Sequence, residues 1–525
     1  MRVASFYVQN FGCRATQADG AAIERQFLER GLEAAATLDQ ADIVVLNTCT
    51  VTAAADQDAR AAIRRVQRDN PNSEIVVTGC YAQRAPEEIA ALPGVTHVIG
   101  NSHKHELASL VTDSPAAKAH SRLGSSAARL KAGSSCSENR SCAEKGPSLV
   151  PLSMLTTDDG RGTTSQRPTA NDQRLFVSDI FAHTELLAAP VFDAANERTR
   201  PNLKVQDGCD NRCSFCIIPY VRGKSRSLPL DNVVREVNTL VAAGYREVVI
   251  SGINLGRWGR DLVVSRQSSV VSQKGLRQRP ATNDQRLGLS QRLWTSAQRL
   301  SFVDLVRAIL NETGLQKLRI SSVEPMDWSD DLIELVASSP RIAKHAHIPM
   351  QSASDRVLRA MHRKYRPWHY REKIEKIRSA MPNAAIGADV MVGFPGESAV
   401  DFEQTRRVVE ELPFTYLHVF TYSSRPGTSA ATMSNQVPVH VARERNRTLR
   451  ELASAKKLAF MRAFIGKTVE AITLNVFDGE YTEALTDNYL KLRISGQLEP
   501  NRWLVAVVDQ VVNGELLALP GAVPT

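Results

Sequence analysis

Gly208-Cys-Asp-Asn-Arg-Cys-Ser-Phe-Cys-Ile-Ile-Pro219 places Cys209, Cys213 and Cys216 in a C-x3-C-x2-C run. Iron–sulfur clusters that only carry electrons take four cysteines, from a C-x2-C-x2-C-x3-C or a plant-type pattern. Three thiolates at this spacing suit a 4Fe-4S cube and leave its fourth iron open to a small molecule. A zinc site asks for paired C-x2-C elements or added histidines, and the nearest histidines along the chain are His183 and His345. The run therefore points to a cluster with chemistry of its own.

Downstream of the run, apolar strands alternate with amphipathic helices. A helix over 230–243 leads to Glu247-Val-Val-Ile-Ser251, and one near 302–312 leads to Lys317-Leu-Arg-Ile-Ser321. Ala346-His-Ile-Pro349, Ile386-Gly-Ala-Asp-Val-Met-Val392 and Tyr416-Leu-His-Val-Phe420 follow. Successive β-α units of this kind predict a barrel or partial barrel whose functional groups gather at the carboxyl ends of the strands. The cysteine loop holds such a position, as do Gly252-Ile-Asn-Leu-Gly256, Ser322-Val-Glu-Pro325, Gln351-Ser352 and Gly393-Phe-Pro-Gly-Glu397. From these, Gly252, Asn254, Ser322, Glu324 and Gln351 are the candidate small-molecule contacts. Glycines there let backbone approach a ligand closely, or serve as plain turn residues.

Upstream, Cys13, Cys49 and Cys80 each close a segment that reads as a strand: Val3-Ala-Ser-Phe-Tyr-Val8, Ile43-Val-Val-Leu46 and Glu74-Ile-Val-Val-Thr78. Helical stretches over 17–30 and 52–69 lie between them, so the pattern is β-α-β-α-β and the sheet is expected to be parallel. In such a sheet all carboxyl ends share one edge, where ligands bind. Free cysteines are often buried as small hydrophobes, but that does not explain why all three stand just past strand ends. A second three-cysteine cluster is the expectation. Cys136 and Cys142 sit in an aperiodic Ser/Gly/Lys-rich stretch and are expected to be unligated.

At 525 residues and 43% hydrophobic content, the chain has room for about three domains. It has no apolar run of membrane-spanning length. Gln9, Asn10 and Cys13 interrupt the stretch a signal peptide would need, so the expected compartment is the reducing cytoplasm, with thiols and metal ligands in place of disulfides. The net charge of +9 is unevenly spread. Eight basic residues against two acidic ones fall in 260–300. There Arg279-Pro-Ala-Thr-Asn-Asp-Gln-Arg-Leu287 nearly repeats Arg167-Pro-Thr-Ala-Asn-Asp-Gln-Arg-Leu175. Residues 104–200 and 262–298 accordingly read as poorly ordered linker or insertion without chemistry. Better nucleic-acid footprints are 355–378, with nine basic and three acidic residues, and 443–462, with seven and two. Both also fit ordinary solvated helix faces.

Taken together, Phe11-Gly-Cys13, Asn47-Thr-Cys-Thr-Val-Thr52, Thr78-Gly-Cys80, Cys209 to Cys216 with Ile217-Ile-Pro-Tyr-Val-Arg-Gly223, His347-Ile-Pro-Met-Gln-Ser352 and Val392-Gly-Phe-Pro-Gly-Glu397 resemble the radical S-adenosylmethionine methylthiotransferase family. The likeness runs from residue 2 to about 518, apart from the two inserted segments. It implies an α/β protein in three parts. An N-terminal doubly wound parallel domain (1–103) carries an auxiliary 4Fe-4S cluster on Cys13, Cys49 and Cys80. A central radical-SAM partial (β/α) barrel (201–445) carries the other cluster on Cys209, Cys213 and Cys216. A basic connecting helix (446–463) leads to a small C-terminal β-barrel, the TRAM domain (464–525), whose pattern is matched by Tyr481-Thr-Glu-Ala-Leu-Thr-Asp-Asn-Tyr489.

Chemically, the resemblance implies that the open iron chelates S-adenosylmethionine, whose one-electron cleavage gives methionine and a 5'-deoxyadenosyl radical. That radical removes a hydrogen, and a sulfur methylated by a second S-adenosylmethionine is delivered from the auxiliary cluster. No catalytic residue beyond the cluster ligands is implied. Implied partners are the tRNA anticodon stem-loop, a reductant such as flavodoxin or ferredoxin, and a sulfur donor. Asn47-Thr-Cys-Thr-Val-Thr52 and Tyr220-Val-Arg-Gly-Lys-Ser-Arg-Ser-Leu-Pro229 resemble the branch that acts on N6-threonylcarbamoyladenosine at tRNA position 37. The neighbouring branches act on N6-isopentenyladenosine or on an aspartate of a small-subunit ribosomal protein. Outside the family, an iron–sulfur electron carrier and a zinc-bearing RNA scaffold are the competing readings. Residues 464–525 hold four basic and eight acidic residues, so RNA contact there falls to local groups such as Lys491 and Arg493.

Overall fold

The structure is a computed structural model, and it describes residues 3–113, 175–183, 186, 199–262 and 299–521. The chain forms two compact units, one of Met1–Leu187 with Tyr220–Gly223, the other of Ala188–Pro219 with Lys224–Thr525.

The first unit is a doubly wound parallel sheet of strands β1 (Ser5–Asn10), β2 (Glu33–Ala34), β3 (Ile43–Thr48), β4 (Glu74–Gly79), β5 (Val95–Gly100) and β6 (Leu175–Phe176), in the order β2-β1-β3-β4-β5-β6. Every residue of β3 is buried, as its unbroken apolar run requires of a strand covered on both faces. Val44 and Leu46 pack with Ile63 and Val66 on one face, while Val45 packs with Ile23 and Phe27 on the other. The helix Ala53–Asp69 starts where the Thr52 hydroxyl accepts the Ala55 N–H at 3.2 Å, and buries Ala59, Ile63 and Val66 at helical spacing.

The expected linker is corrected at both ends. Residues 104–113 continue this domain through Lys104–Glu106 and the helix Leu107–Thr112, whose Leu107, Ala108 and Val111 are buried against Ile23 and Phe27. Leu175–Phe176 adds the sixth strand beside β5. These short apolar groups are too brief to register as periodicity, and tertiary packing orders them. Residues 114–174, with Cys136 and Cys142, residues 184–185 and 187–198, and residues 263–298 lie outside the described residues.

The second unit opens with β7 (Asn202–Asp207), β8 (Arg226–Ser227), β9 (Glu247–Gly252) and β10 (Lys317–Ile320) in a sheet ordered β10-β9-β7-β8. A further sheet, β11 (His345–His347), β12 (Ala385–Val392) and β13 (Tyr416–Thr421), joins it through the bridges Leu318↔Ile342 and Ser322↔His347. All neighbours except β7 and β8 are parallel, which gives a partial barrel with helices outside. Helices Phe302–Glu312 and Ala399–Glu411 each begin at a capping box, Ser301 with Asp304 and Ser398 with Asp401.

Along β12, Ile386, Ala388, Val390 and Val392 are buried on one face, while Gly387, Asp389 and Met391 share the other, where Asp389 and Met391 are half-buried. The helix Val439–Arg462 leads into a closed five-stranded barrel, β14 (Thr468–Phe477), β15 (Tyr481–Thr486), β16 (Lys491–Ser495), β17 (Trp503–Val512) and β18 (Glu515–Pro520), ordered β14-β15-β16-β18-β17. The fully buried Arg319 of β10 pairs with Glu247 at 2.7 Å and donates to the carbonyls of Thr486 and Asp487, which ties this barrel to the partial barrel. Among the described residues, no helix is long and apolar enough to cross a membrane.

Candidate active site

The loop carrying Cys209, Cys213 and Cys216 begins at the carboxyl end of β7, where Gly208 takes φ +70°. Gln206, the penultimate residue of β7, fixes two loops at once. Its amide nitrogen donates to the carbonyls of Asp207 and Gly208, and its amide oxygen accepts the backbone N–H of Asn254 at 2.7 Å. A Cβ on Gly252 would stand 2.9 Å from the Gln206 side chain, so only glycine lets the end of β9 come this close. Asn254 in turn places its side-chain nitrogen 3.6 Å from Cys209 Sγ, and the Asn211 N–H lies 3.4 Å from the same sulfur.

Arg363 completes this loop's surroundings. Its guanidinium lies 3.4 Å from Cys213 Sγ, pairs with Glu324 and rests 4.9 Å from the Tyr365 ring. Of the residues expected from sequence, Asn254 and Glu324 are thus brought to the cysteines directly or through Arg363. Gly252 shapes the loop through Gln206. Ser322 instead holds His347 Nδ1 at 3.0 Å. Gln351 contributes backbone: at φ +63° its N–H donates to the Asp389 carbonyl and its own carbonyl accepts from Met391, both at 2.8 Å. This is a strained conformation for a residue with a Cβ, of the kind that collects at functional sites. Gln206 and Arg363 were missed in the sequence. Gln206 is hidden within a strand, and Arg363 within a basic stretch that reads as surface.

Cys13, Cys49 and Cys80 stand at the carboxyl ends of β1, β3 and β4, three neighbouring strands. Cys13 is the N-cap of the helix Arg14–Glu29, and its sulfur lies 3.5 Å from the Thr16 hydroxyl. Gly12, at φ +98°, passes so close to Cys49 that a Cβ would meet its Cβ at 2.7 Å and its Sγ at 3.0 Å. Gly79, at φ +99°, leaves a Cβ no room beside the Thr48 carbonyl, 2.3 Å away. The Asn101 side chain donates to Cys80 Sγ at 3.6 Å and to the Val221 carbonyl at 2.7 Å.

In each trio a buried thiol is held protonated by its surroundings. Burial, then Cys80, push the Cys49 thiol up to about 12, and burial, then Cys213, do the same to Cys216. Burial also raises Cys209. Thiols crowded in this way resist ionising together until a metal supplies positive charge. Among the described residues, the trio of donor atoms close enough to share one ion is His347, Asp389 and His418, so neither cysteine trio has the spacing of a lone zinc.

Residues 5–100 match the family described as Uncharacterized protein family UPF0004, and residues 203–409 match the Radical SAM superfamily. The chain is 32% identical over 493 residues to the threonylcarbamoyladenosine tRNA methylthiotransferase MtaB of Aquifex aeolicus, covering 94% of this chain and 97% of that one. Its likeness to the Bacillus subtilis MtaB is 31% over 498 residues, covering 94% and 91%. To the tRNA-2-methylthio-N(6)-dimethylallyladenosine synthase of Novosphingobium aromaticivorans it is 31% over 472 residues, covering 89% and 86%. The chain belongs to the radical S-adenosylmethionine tRNA methylthiotransferase family.

Proposed function

We propose that this protein is a cytoplasmic enzyme that converts N6-threonylcarbamoyladenosine at position 37 of tRNA to its 2-methylthio derivative. The observation that carries the reading is the pair of cysteine trios, each at the carboxyl edge of its own parallel sheet. Substrate choice rests on the likeness of Asn47-Thr-Cys-Thr-Val-Thr52 to the threonylcarbamoyl branch and on relatives that carry that name. When bound, two 4Fe-4S clusters and S-adenosylmethionine supply the radical and the sulfur. The chain's part is to hold and orient these groups: Cys209, Cys213 and Cys216 as ligands at one site, with Gly252, Asn254 and Glu324 around them and Ser322 and Gln351 placed against His347 and Asp389 as candidate small-molecule contacts, and Cys13, Cys49 and Cys80 as ligands at the other.

Geometry in the second unit favours an RNA substrate. A cavity of about 560 Å³ is lined by Tyr416, His418, Tyr489, Lys457 and Arg493. Tyr416 and Tyr489 stack at 5.8 Å, the kind of platform on which an unstacked base rests. Of the two basic stretches, 355–378 is largely committed elsewhere: Arg356 pairs with Asp401, Arg359 and Arg366 with Asp355, Arg371 with Glu411, and Arg363 is buried at Cys213. Lys491 and Arg493 also have carboxylate partners, Glu483 for the first and Asp478 and Glu515 for the second. By contrast, Arg443, Arg447 and Arg450 are exposed on one side of the helix Val439–Arg462.

The test is mass spectrometry of nucleosides from tRNA treated with anaerobically reconstituted protein, reductant and S-adenosylmethionine. A methylthio gain confined to threonylcarbamoyladenosine is expected. Gain on isopentenyladenosine would overturn the substrate assignment, and 5'-deoxyadenosine without gain on either would point to a protein substrate. Exchange of Arg443, Arg447 and Arg450 for Gln should weaken tRNA binding and flatten its salt dependence by about 0.7–0.9 log units per log salt for each phosphate no longer neutralised. An unchanged slope would remove this helix from the RNA interface.

A further inference from the structure

We propose that Lys104, with Asp19 and Arg222, sets the reduction potential of the cluster held by Cys13, Cys49 and Cys80; the inference rests on the auxiliary-cluster reading above. The three side chains belong to residues that are almost wholly buried, at 3%, 1% and 2% exposure. Lys104 Nζ and Arg222 Nη2 converge on the same oxygen of Asp19, each at 3.0 Å. Lys104 also donates to Asn47 Oδ1 at 3.2 Å.

The group is joined to the segments that carry the cysteines. Asp19 lies on the helix that Cys13 caps, Asn47 stands two residues before Cys49, and Arg222 follows Val221, whose carbonyl accepts from the same Asn101 amide that reaches Cys80. Lys104 lies within electrostatic reach of Cys80, and Arg222 within reach of Cys49.

Ions taken out of water at this depth are costly and are kept where another charge answers them. A 4Fe-4S core on three thiolates is anionic and gains one further negative charge on reduction, and its potential follows the charge and exposure of its surroundings. Buried cations beside it favour the reduced form, and a buried carboxylate opposes it. A tie that merely braced the sheet would have no such sign. Lys104 is therefore a positioning residue whose charge acts on the cluster through space.

The test uses the full chain with Cys209, Cys213 and Cys216 all changed to Ala, so that only the auxiliary site is loaded with iron and sulfide. Iron content is assayed, and the reduced cluster's electron paramagnetic resonance signal is followed during a dithionite titration. Lys104→Met and Arg222→Met should each make reduction about tenfold less favourable, a fall of about 59 mV for a one-electron couple. Asp19→Asn should shift the potential the opposite way, and Lys104→Arg should restore the parent value. Unchanged potentials at parent iron content, or shifts of the same sign for Asp19→Asn and Lys104→Met, would overturn the proposal. If the Met variants fail to fold, Asp19→Asn and Lys104→Arg still decide it. A parent protein without iron would overturn the auxiliary-cluster reading instead.

Discussion

The two cysteine trios reach similar surroundings by opposite routes. Cys209, Cys213 and Cys216 are set by one short loop, so their spacing is local and survives modest changes elsewhere. Cys13, Cys49 and Cys80 are separated by more than thirty residues at each step and meet only because β1, β3 and β4 are neighbours in register. Each trio nevertheless acquires an Asn amide at 3.6 Å from a sulfur, Asn254 at Cys209 and Asn101 at Cys80. Each also has a buried arginine in its surroundings, Arg363 at Cys213 and Arg222 through Asp19. The difference teaches that a site written along the chain depends on its own residues, whereas a site written by topology depends on the packing of a whole sheet.

The largest effects come from removing ligands. Cys213→Ala should abolish 5'-deoxyadenosine formation and leave the iron of the other trio. Cys49→Ala should do the reverse: S-adenosylmethionine cleavage persists and methylthio transfer stops. Iron per chain and both products, measured together, would break the comparison if either substitution emptied both sites.

Next come the glycines that let the strand ends crowd together. Gly12→Ala and Gly79→Ala put a Cβ against Cys49 or the Thr48 carbonyl at positive φ. Each should cost roughly 1–3 kcal/mol and lower iron at the topological site only. Thermal unfolding with iron analysis checks this, and equal iron loss at both sites would refute it. Arg363→Met sharpens the other half of the comparison. It strips Glu324 of its partner in a largely buried position, at a cost approaching about 3 kcal/mol, read as a lower urea midpoint of the second unit with auxiliary iron unchanged.

Much of this contrast was legible in the sequence. Strands ending at 46 and 78 and the helix at 52–69 could be read because unbroken apolar runs and helical spacing are strong signals over that length. The same signals placed Cys13, Cys49 and Cys80 past strand ends, while the other three were read from their C-x3-C-x2-C spacing. What could not be read were partners created by packing. Lys104 stood at the start of what reads as linker, and its role depends on Asp19 and Asn47, which lie 85 and 57 residues away. Arg363 was one of nine basic residues in a stretch where others, such as Arg359 and Arg371, pair at the surface. Charge counts cannot tell a surface arginine from a buried one, because burial is decided by the turn that follows Asp355–Ala360.

The smallest predicted effect tests whether the shared asparagine has the same duty at both sites. An N–H directed at a ligand sulfur withdraws charge from it and makes reduction easier. Asn254→Ala and Asn101→Ala should therefore each lower the potential of their own cluster, by less than exchange of a charged neighbour. They should differ in stability. Asn101 also satisfies the Val221 carbonyl, so its loss should cost about 1 kcal/mol more and loosen the 220–223 segment that carries Arg222. Equal stability in the two variants, with equal shifts in potential, would mean that the topological site is braced no more by its asparagine than the local one.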